Sequence, residues 1–318
     1  MPPGVPTRIA PTRILLTGAN GFVGQHLRTA IAAAFPGALT MTPEFEVTDS
    51  AAVDRAVRET MPDACVHLAA ISTQALADAD EDRTWAVNLH GPLHLARAIL
   101  RLAPACQLVF VSSAETYGAT FRREREIDED APLAPLNTYG ATKAAADLAL
   151  GAMAGQGLRV VRVRPLNHTG PGQGSGLVVA SFARQLARIE AGLQEPVISV
   201  GNLEARRDFM DVRDVCAAYV ACMARREAIA PGTILNLASG VPRRIGDILS
   251  DLITLAGVQA SIVVDPGRTR ATEVPLARCD AKRAMELIGW SPVMGWSQTL
   301  RDVLDDWRRR VAAEPEST

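Results

Sequence analysis

No excess of charge of either sign runs through these 318 residues, whose net charge is −2. That balance gives no electrostatic footprint for a nucleic acid or an anionic membrane. Arginines cluster at Arg122, Arg123 and Arg125 and over Arg308 to Arg310, but acids are interleaved or close by, so both runs read as solvated faces. No apolar run approaches the roughly 20 residues of a membrane span. Residues 1–12 are rich in proline, lack the apolar core of a signal peptide, and read as a disordered leader. The five cysteines, Cys65, Cys106, Cys216, Cys222 and Cys279, form no CxxC and no other metal-ligand spacing. Cys65 and Cys106 sit in apolar, strand-like runs where a thiol acts as a small hydrophobe. There is no internal repeat and no low-complexity linker. The expectation is a cytoplasmic protein in a reducing compartment, with no metal, nucleic acid or membrane partner.

What is present is an ordinary globular composition, 48% hydrophobic and 21% charged, enough for one large or two modest domains. Apolar strand-like runs alternate with helical stretches: Arg13 to Thr17, a helix to about Phe35, a short strand over Ala38 to Met41, a helix over 50–60, and a third strand with its exit loop over Ala64 to Ala70. A single helix over about 83–102, the strand Gln107 to Ser112, a helix from Thr138 to about Met153 and the strand Leu158 to Arg164 continue the alternation. This βα order implies a parallel doubly wound sheet. The stretch 119–136 is charged and Pro-rich and reads as a long exposed loop. Beyond Pro165 the character changes. Residues 167–174 are turn-rich, 201–209 read as a polar loop, and helices over 177–191, 211–223, 245–256 and 297–311 alternate with short strands at 197–200, 234–237 and 261–264.

Three motifs lie on this frame. Gly18, Gly21 and Gly24 follow a strand and open a helix, the context a dinucleotide fingerprint requires, although the spacing is GxxGxxG. Gly18 would allow the tight turn, Gly21 the approach of backbone N–H groups to a pyrophosphate, and Gly24 close helix–sheet packing. Ser112 and Ser113 leave the fourth strand at its carboxyl end, where open α/β sheets bind ligands. Tyr139 and Lys143 stand four residues apart on one face of an Ala-rich helix. A lysine cation there would stabilise the tyrosinate and lower a phenol pKa that starts near ~10. His67 reads as a core histidine. His90 and His94 have i,i+4 spacing, but Gly91-Pro92 lies between them and no acid follows in zinc-protease spacing.

A glycine turn, a strand-end serine and a TyrxxxLys helix in this order resemble the extended short-chain dehydrogenase/reductase superfamily, over residues 13 to about 311. The resemblance implies a Rossmann-type NAD(P)-binding domain over 13–165, with a segment returning at about 209–230. It also implies a smaller, discontinuous sugar-nucleotide lobe over 166–208 and 231–318. It implies that Ser113 hydrogen-bonds a substrate carbonyl, Tyr139 gives it a proton, and Lys143 holds the nicotinamide ribose. Gly18, Asn20, Gly21, Phe22, Val23, Gly24, Glu46, Val47, His67, Leu68, Ala69, Ala70 and Asn88 match positions around the cofactor. The family often dimerises through helices matching 83–102 and 138–153.

The second half is similar to GDP-4-dehydro-6-deoxy-D-mannose reductases over Arg164 to Gln173, Val200 to Phe209 and the Arg268…Arg270…Glu273 run. That similarity implies a GDP-linked 4-keto-6-deoxyhexose as substrate, reduced to GDP-D-rhamnose or GDP-6-deoxy-D-talose. Asn167 would lie near the sugar, Val178 and Arg184 near the base, Arg207 and Arg270 at the diphosphate, and Glu273 at a ribose. Planar bidentate arginines suit a diphosphate, and an ionised carboxylate suits ribose hydroxyls. Neither an acid nor an arginine marks the end of the second strand, where Thr42 and Pro43 stand, so NADPH and NADH are both expected to serve. The rival is a GDP-mannose 4,6-dehydratase, or another sugar-nucleotide epimerase. Glu115, within Ser-Ala-Glu, occupies the position of the extra acid that dehydration needs. Against it stand the missing arginine-rich stretch after strand two and the Gly170-Pro171-Gly172-Gln173 run. A non-catalytic dinucleotide sensor would be expected to have lost Ser113, Tyr139 or Lys143.

Overall fold

The computed structural model describes residues 10–123, 125–268 and 274–314. The chain opens with β1 (Arg13–Thr17), α1 (Phe22–Ala34), β2 (Leu39–Met41), α2 (Ser50–Thr60) and β3 (Ala64–His67). Two short helices, α3 (Gln74–Ala79) and α4 (Glu81–Trp85), lead through a π-helical turn, Ala86–His90, into α5 (Gly91–Leu102). Next come β4 (Gln107–Val111), α6 (Thr138–Ala154), β5 (Arg159–Pro165), β6 (Asn167–Thr169), α7 (Val178–Glu190), β7 (Val197–Val200), β8 (Arg206–Asp211) and α8 (Val212–Ala224). The chain closes with β9 (Thr233–Leu237), β10 (Pro242–Arg244), α9 (Ile245–Ala256), β11 (Ser261–Val264), β12 (Leu276–Ala277), α10 (Lys282–Ile288) and α11 (Trp296–Ala312).

Six strands form one parallel sheet in the order β2-β1-β3-β4-β5-β9. Strands buried on both faces read as continuous apolar runs, and Ile14, Leu16, Val66, Val109 and Val163 are accordingly almost wholly buried. One face packs against α1 and α8 through Leu27, Ile31, Val215 and Tyr219. The other packs against α2, α5 and α6 through Val53, Val57, Leu95, Ile99 and Leu150. Each such aliphatic side chain contributes about 1.5–3 kcal/mol of burial. A separate core joins α7, α9 and α11 around Phe182, Leu249, Leu304 and Trp307. A four-stranded sheet, β10-β8-β12 with β6 on β8, is interleaved with both regions in sequence, and β7 pairs with β11.

The expected helix over 83–102 is interrupted. Pro92 has no N–H and crowds the carbonyl four residues back, and the ladder widens so that Gly91 N–H reaches Ala86 O. The 119–136 stretch is no exposed loop: Phe121, Ile127 and Glu129 are buried, Ala119 N donates to Ala134 O, and Ala134 N donates to Thr116 O. Residues expected as turn and loop form β6 and β8, paired from Asn167↔Phe209 to Thr169↔Asp211. Ladder pairing overrides their polar composition there. β9, within the 231–318 segment expected in the second lobe, is the sixth strand of the large sheet. Among the described residues α3, α10, β10 and β12 were also unforeseen.

Candidate active site

The sheet order reverses at β1, whose neighbours are β2 and β3, and ligands of open α/β sheets bind at such a switch point beyond the strand ends. Thr17 and His67 are paired at those ends. Thr17 Oγ1 lies 2.8 Å from His67 Nδ1 and accepts from Ala69 N at 3.2 Å. This fixes the Leu68-Ala69-Ala70 exit against the glycine turn. Gly18 has φ +69°, and a Cβ there would lie 2.7 Å from Ala69 N. A Cβ on Gly24 would lie 2.3 Å from Gly18 O. The turn therefore tolerates no side chain at either position. The first turn of α1 begins at Gly21 with no side-chain cap and no acid. Its N–H groups and the helix dipole suit an anion. A dinucleotide pyrophosphate fits this cradle.

Around it, Phe22 stacks on His168 at 6.3 Å, Val23 O accepts from Cys216 Sγ, and Asn20 O accepts from Gln25 Nε2. Exposed Glu46 precedes buried Val47, whose carbonyl meets His94 Nδ1 at 3.2 Å. Val47 also packs where a Cβ at Gly91 would be, 2.8 Å away. Asn88, on the π turn, is fully engaged. It accepts from Ile71 N and donates to Ile71 O, both at 2.9 Å, and donates to Thr142 Oγ1 at 3.2 Å.

Ser113 caps a 3₁₀ turn, accepting from Glu115 N at 3.1 Å. Asn137 caps α6 by accepting from Gly140 N at 2.7 Å, and Gly140 lets the helix press on Glu115 O, 2.8 Å from where a Cβ would stand. Tyr139 stands near Ser113. Burial pushes the Tyr139 phenol up to about 12, the nearby Ser113 hydroxyl opposing and the Glu115 charge adding to the rise. Lys143 is 4% exposed; its Nζ donates to Val111 O at 2.5 Å and lies 4.9 Å from the Phe110 ring centre. Burial brings Lys143 down to about 8, against the charge of Asp147. The expected lowering of the tyrosine by the lysine is not found: the phenol rises through burial, and Lys143 is not among the groups that act on it. Glu115 is exposed and accepts from Asn137 Nδ2 at 3.3 Å.

The remaining expected residues are spread over the second region. Asn167 is exposed at the start of β6, and Val178 is half-buried at the first position of α7. Arg184 pairs with Glu314 at 3.5 Å, beside Arg188, which bonds the same carboxylate. Arg207, on β8, donates to Arg206 O at 2.9 Å. Arg270 and Glu273 lie outside the described residues. Sequence reasoning passed over Thr17, which pins His67 and Ala69, and over Asp147, although Asp147 stands four residues beyond Lys143 in the same helix.

Comparisons with known proteins agree with this geometry. The model of the "NAD dependent epimerase/dehydratase family" matches residues 14–238. The chain is 36% identical over 305 residues to a GDP-6-deoxy-D-mannose reductase of Pseudomonas aeruginosa, covering 95% of this chain and 99% of that one. It is 26% identical over 266 residues to GDP-mannose 4,6 dehydratase 1 of Arabidopsis thaliana, covering 82% and 72% respectively. The solved structure of RMD from Pseudomonas aeruginosa complexed with NADPH superposes with a TM-score of 0.86 at 32% identity, over 94% of this chain and all of that one. The chain belongs to the NAD dependent epimerase/dehydratase family, the family to which its glycine turn and TyrxxxLys helix point.

Proposed function

We propose that this protein reduces the 4-keto group of GDP-4-dehydro-6-deoxy-D-mannose, with NADPH or NADH, to GDP-D-rhamnose or GDP-6-deoxy-D-talose. The reading is supported by Tyr139 standing beside Ser113, with Lys143 one helical turn further along α6, in a chain 36% identical to a GDP-6-deoxy-D-mannose reductase over almost its whole length. A bound nicotinamide supplies the hydride. Ser113 hydrogen-bonds the substrate carbonyl, and Tyr139 transfers its phenolic proton to that oxygen, leaving a tyrosinate. The ammonium of Lys143 stabilises that negative charge as it forms and orients the nicotinamide ribose. The glycine cradle of Gly18, Gly21 and Gly24 holds the pyrophosphate, with Asn20, Phe22, Val23, Glu46, Val47, Leu68, Ala69, Ala70 and Asn88 lining the cofactor. Asn167, Val178, Arg184, Arg207, Arg270 and Glu273 carry the GDP-sugar. Glu115 lines the sugar pocket.

The lobe division supports this assignment: 13–165 with 209–230 and β9 would bind the cofactor, and the rest the sugar nucleotide. Five free, buried thiols suit a reducing cytoplasm. A homodimer through α5 and α6 is part of the proposal, since α6 presents Leu148 at 59% exposure.

Supplying the keto sugar nucleotide with reduced cofactor and following nicotinamide absorbance tests the reading. One cofactor should be oxidised per sugar reduced, with NADPH and NADH both accepted, and product NMR then gives the configuration at the reduced carbon. Conversion of GDP-mannose with no net cofactor consumption would instead make Glu115 the acid of a dehydratase.

A further inference from the structure

A row of residues runs along one face of α6 at four-residue intervals: Tyr139, Lys143, Asp147 and Gly151. Asp147 is wholly buried and takes part in a network the proposed reaction does not use. Arg164, from β5, is 2% exposed and grips its carboxylate with both arms, Nε to Oδ2 at 2.9 Å and Nη2 to Oδ1 at 2.8 Å. Arg162, two residues earlier on the same strand, donates to Oδ1 at 3.0 Å and to Gly232 O at 2.6 Å. Its guanidinium lies across Gly151, where a Cβ would stand 2.4 Å from Nη1, so the helix has a seat for it. Arg164 Nη1 also donates to Tyr117 Oη at 2.9 Å, and Tyr117 donates to Asn236 on β9 at 2.8 Å. Tyr117 stands four residues after Ser113, so the same guanidinium steadies the strand-four exit.

One carboxylate thus stands among three cations: it is bonded to buried Arg164 and half-buried Arg162, and its charge bears on Lys143, one helical turn earlier in α6. We propose that Asp147 is a positioning residue that supplies the counter-charge keeping Lys143 an ammonium under Tyr139, and that Arg162 and Arg164 hold that carboxylate in place. The other groups facing Lys143 cannot substitute. Val111 offers a carbonyl and Phe110 a ring face from β4. His67, from β3, is held neutral by burial and by Lys143 itself. Ser112 is an uncharged hydroxyl beside Asp147, and the charge of Glu115 bears on Tyr139. Burial alone would raise the Asp147 carboxyl, but the Arg164 hydrogen bonds and charge, with the charge of Arg162, hold it below the usual carboxylate value. Asp147 therefore stays an anion wherever Lys143 titrates. The charge balance is tight: Asn at 147 would leave three cations with no anion among them, whereas loss of Arg162 would free more of the carboxylate's field for the lysine.

The role in proton transfer rests on the proposed reduction, but the charge coupling is measurable without it. The sequence holds two lysines, Lys143 and Lys282. In ligand-free protein labelled at lysine Cε and Nζ, NMR titration therefore follows two side chains. Lys282, 74% exposed, is the internal reference, and Lys282→Arg assigns it. Asp147→Asn should move the Lys143 midpoint down by about one pH unit or more, and Asp147→Glu should restore it. The alkaline limb of kcat for keto-sugar reduction should follow while KM changes little. Arg162→Gln should move the midpoint up in a protein that keeps the wild-type backbone amide dispersion, the control that separates this shift from exposure of the lysine on unfolding, and it decides the matter if Asp147→Asn fails to fold. A Lys143 midpoint unmoved in Asp147→Asn, or one that falls in Arg162→Gln, overturns the proposal. The expected titrations with no keto-sugar reduction would uphold the coupling and sink the proposed reaction.

Discussion

His67 forms the floor of the crevice, 2% exposed, with Nδ1 on Thr17 and its ring 6.3 Å from that of Phe110. Burial, and then the charge of Lys143, push its pKa from 6.5 to about 3. The sign follows: below pH 6.5 the unfolded chain takes up a proton that the folded protein refuses until about pH 3, so stability falls with pH across that window. The limiting slope from this one group is about 1.4 kcal/mol per pH unit. Urea unfolding of His67→Gln from pH 7 to 4 should show a shallower loss than the wild type, and parallel profiles would contradict the assignment. The histidine was legible as a core residue because it sits in an unbroken apolar strand. The pairing of Asp147 with Arg164 was not legible, since two charges on a helix and a strand meet only after the sheet has formed.

At the scale of elements, the π turn at Ala86–His90 matters most for the site. It places Asn88 where one amide joins the loop after β3 to α6. Asn88→Ala would leave the N–H and C=O of Ile71 without these partners, a loss of about 1–3 kcal/mol for partly buried groups. Chemical denaturation should register that loss, together with a fall in kcat/KM as the α6 side chains lose their register; an unchanged midpoint would refute it. The long apolar strands and amphipathic helices of the first half could be read from period and punctuation alone. β6 and β8 could not, because their pairing is between segments about forty residues apart and their polar residues mimic a loop. The π turn was signalled by Gly91-Pro92, which was weighed only as an argument against a metal site.

Across the whole molecule, α11 secures the join between the regions. Asp306 accepts from Gly172 N at 2.8 Å and Arg310 donates to Gln173 O at 2.9 Å, while His26 of α1 meets Pro171 O at 2.8 Å from the other side. The Gly-Pro-Gly-Gln loop is thereby held between the cofactor helix and the terminal helix, next to Asn167. The catalytic candidates were legible because their motif is local to one helix and one strand end. The substrate side was less so: Arg184 turns to Glu314, and Arg270 and Glu273 fall outside the described residues. If α5 and α6 form the dimer face, Leu148→Arg should convert the wild-type dimer to monomer in light scattering. A wild-type protein with the mass of one chain would refute that arrangement.

The central claim is that Tyr139 gives the proton while the surrounding site does the binding. Calorimetric titration of Tyr139→Phe with NADPH and with the GDP-linked sugar, beside its turnover of GDP-4-dehydro-6-deoxy-D-mannose, measures both halves at once. The account predicts affinities within a few-fold of the wild type and a kcat lower by about 10²–10⁴. A variant that turns over within tenfold of the wild type would contradict it.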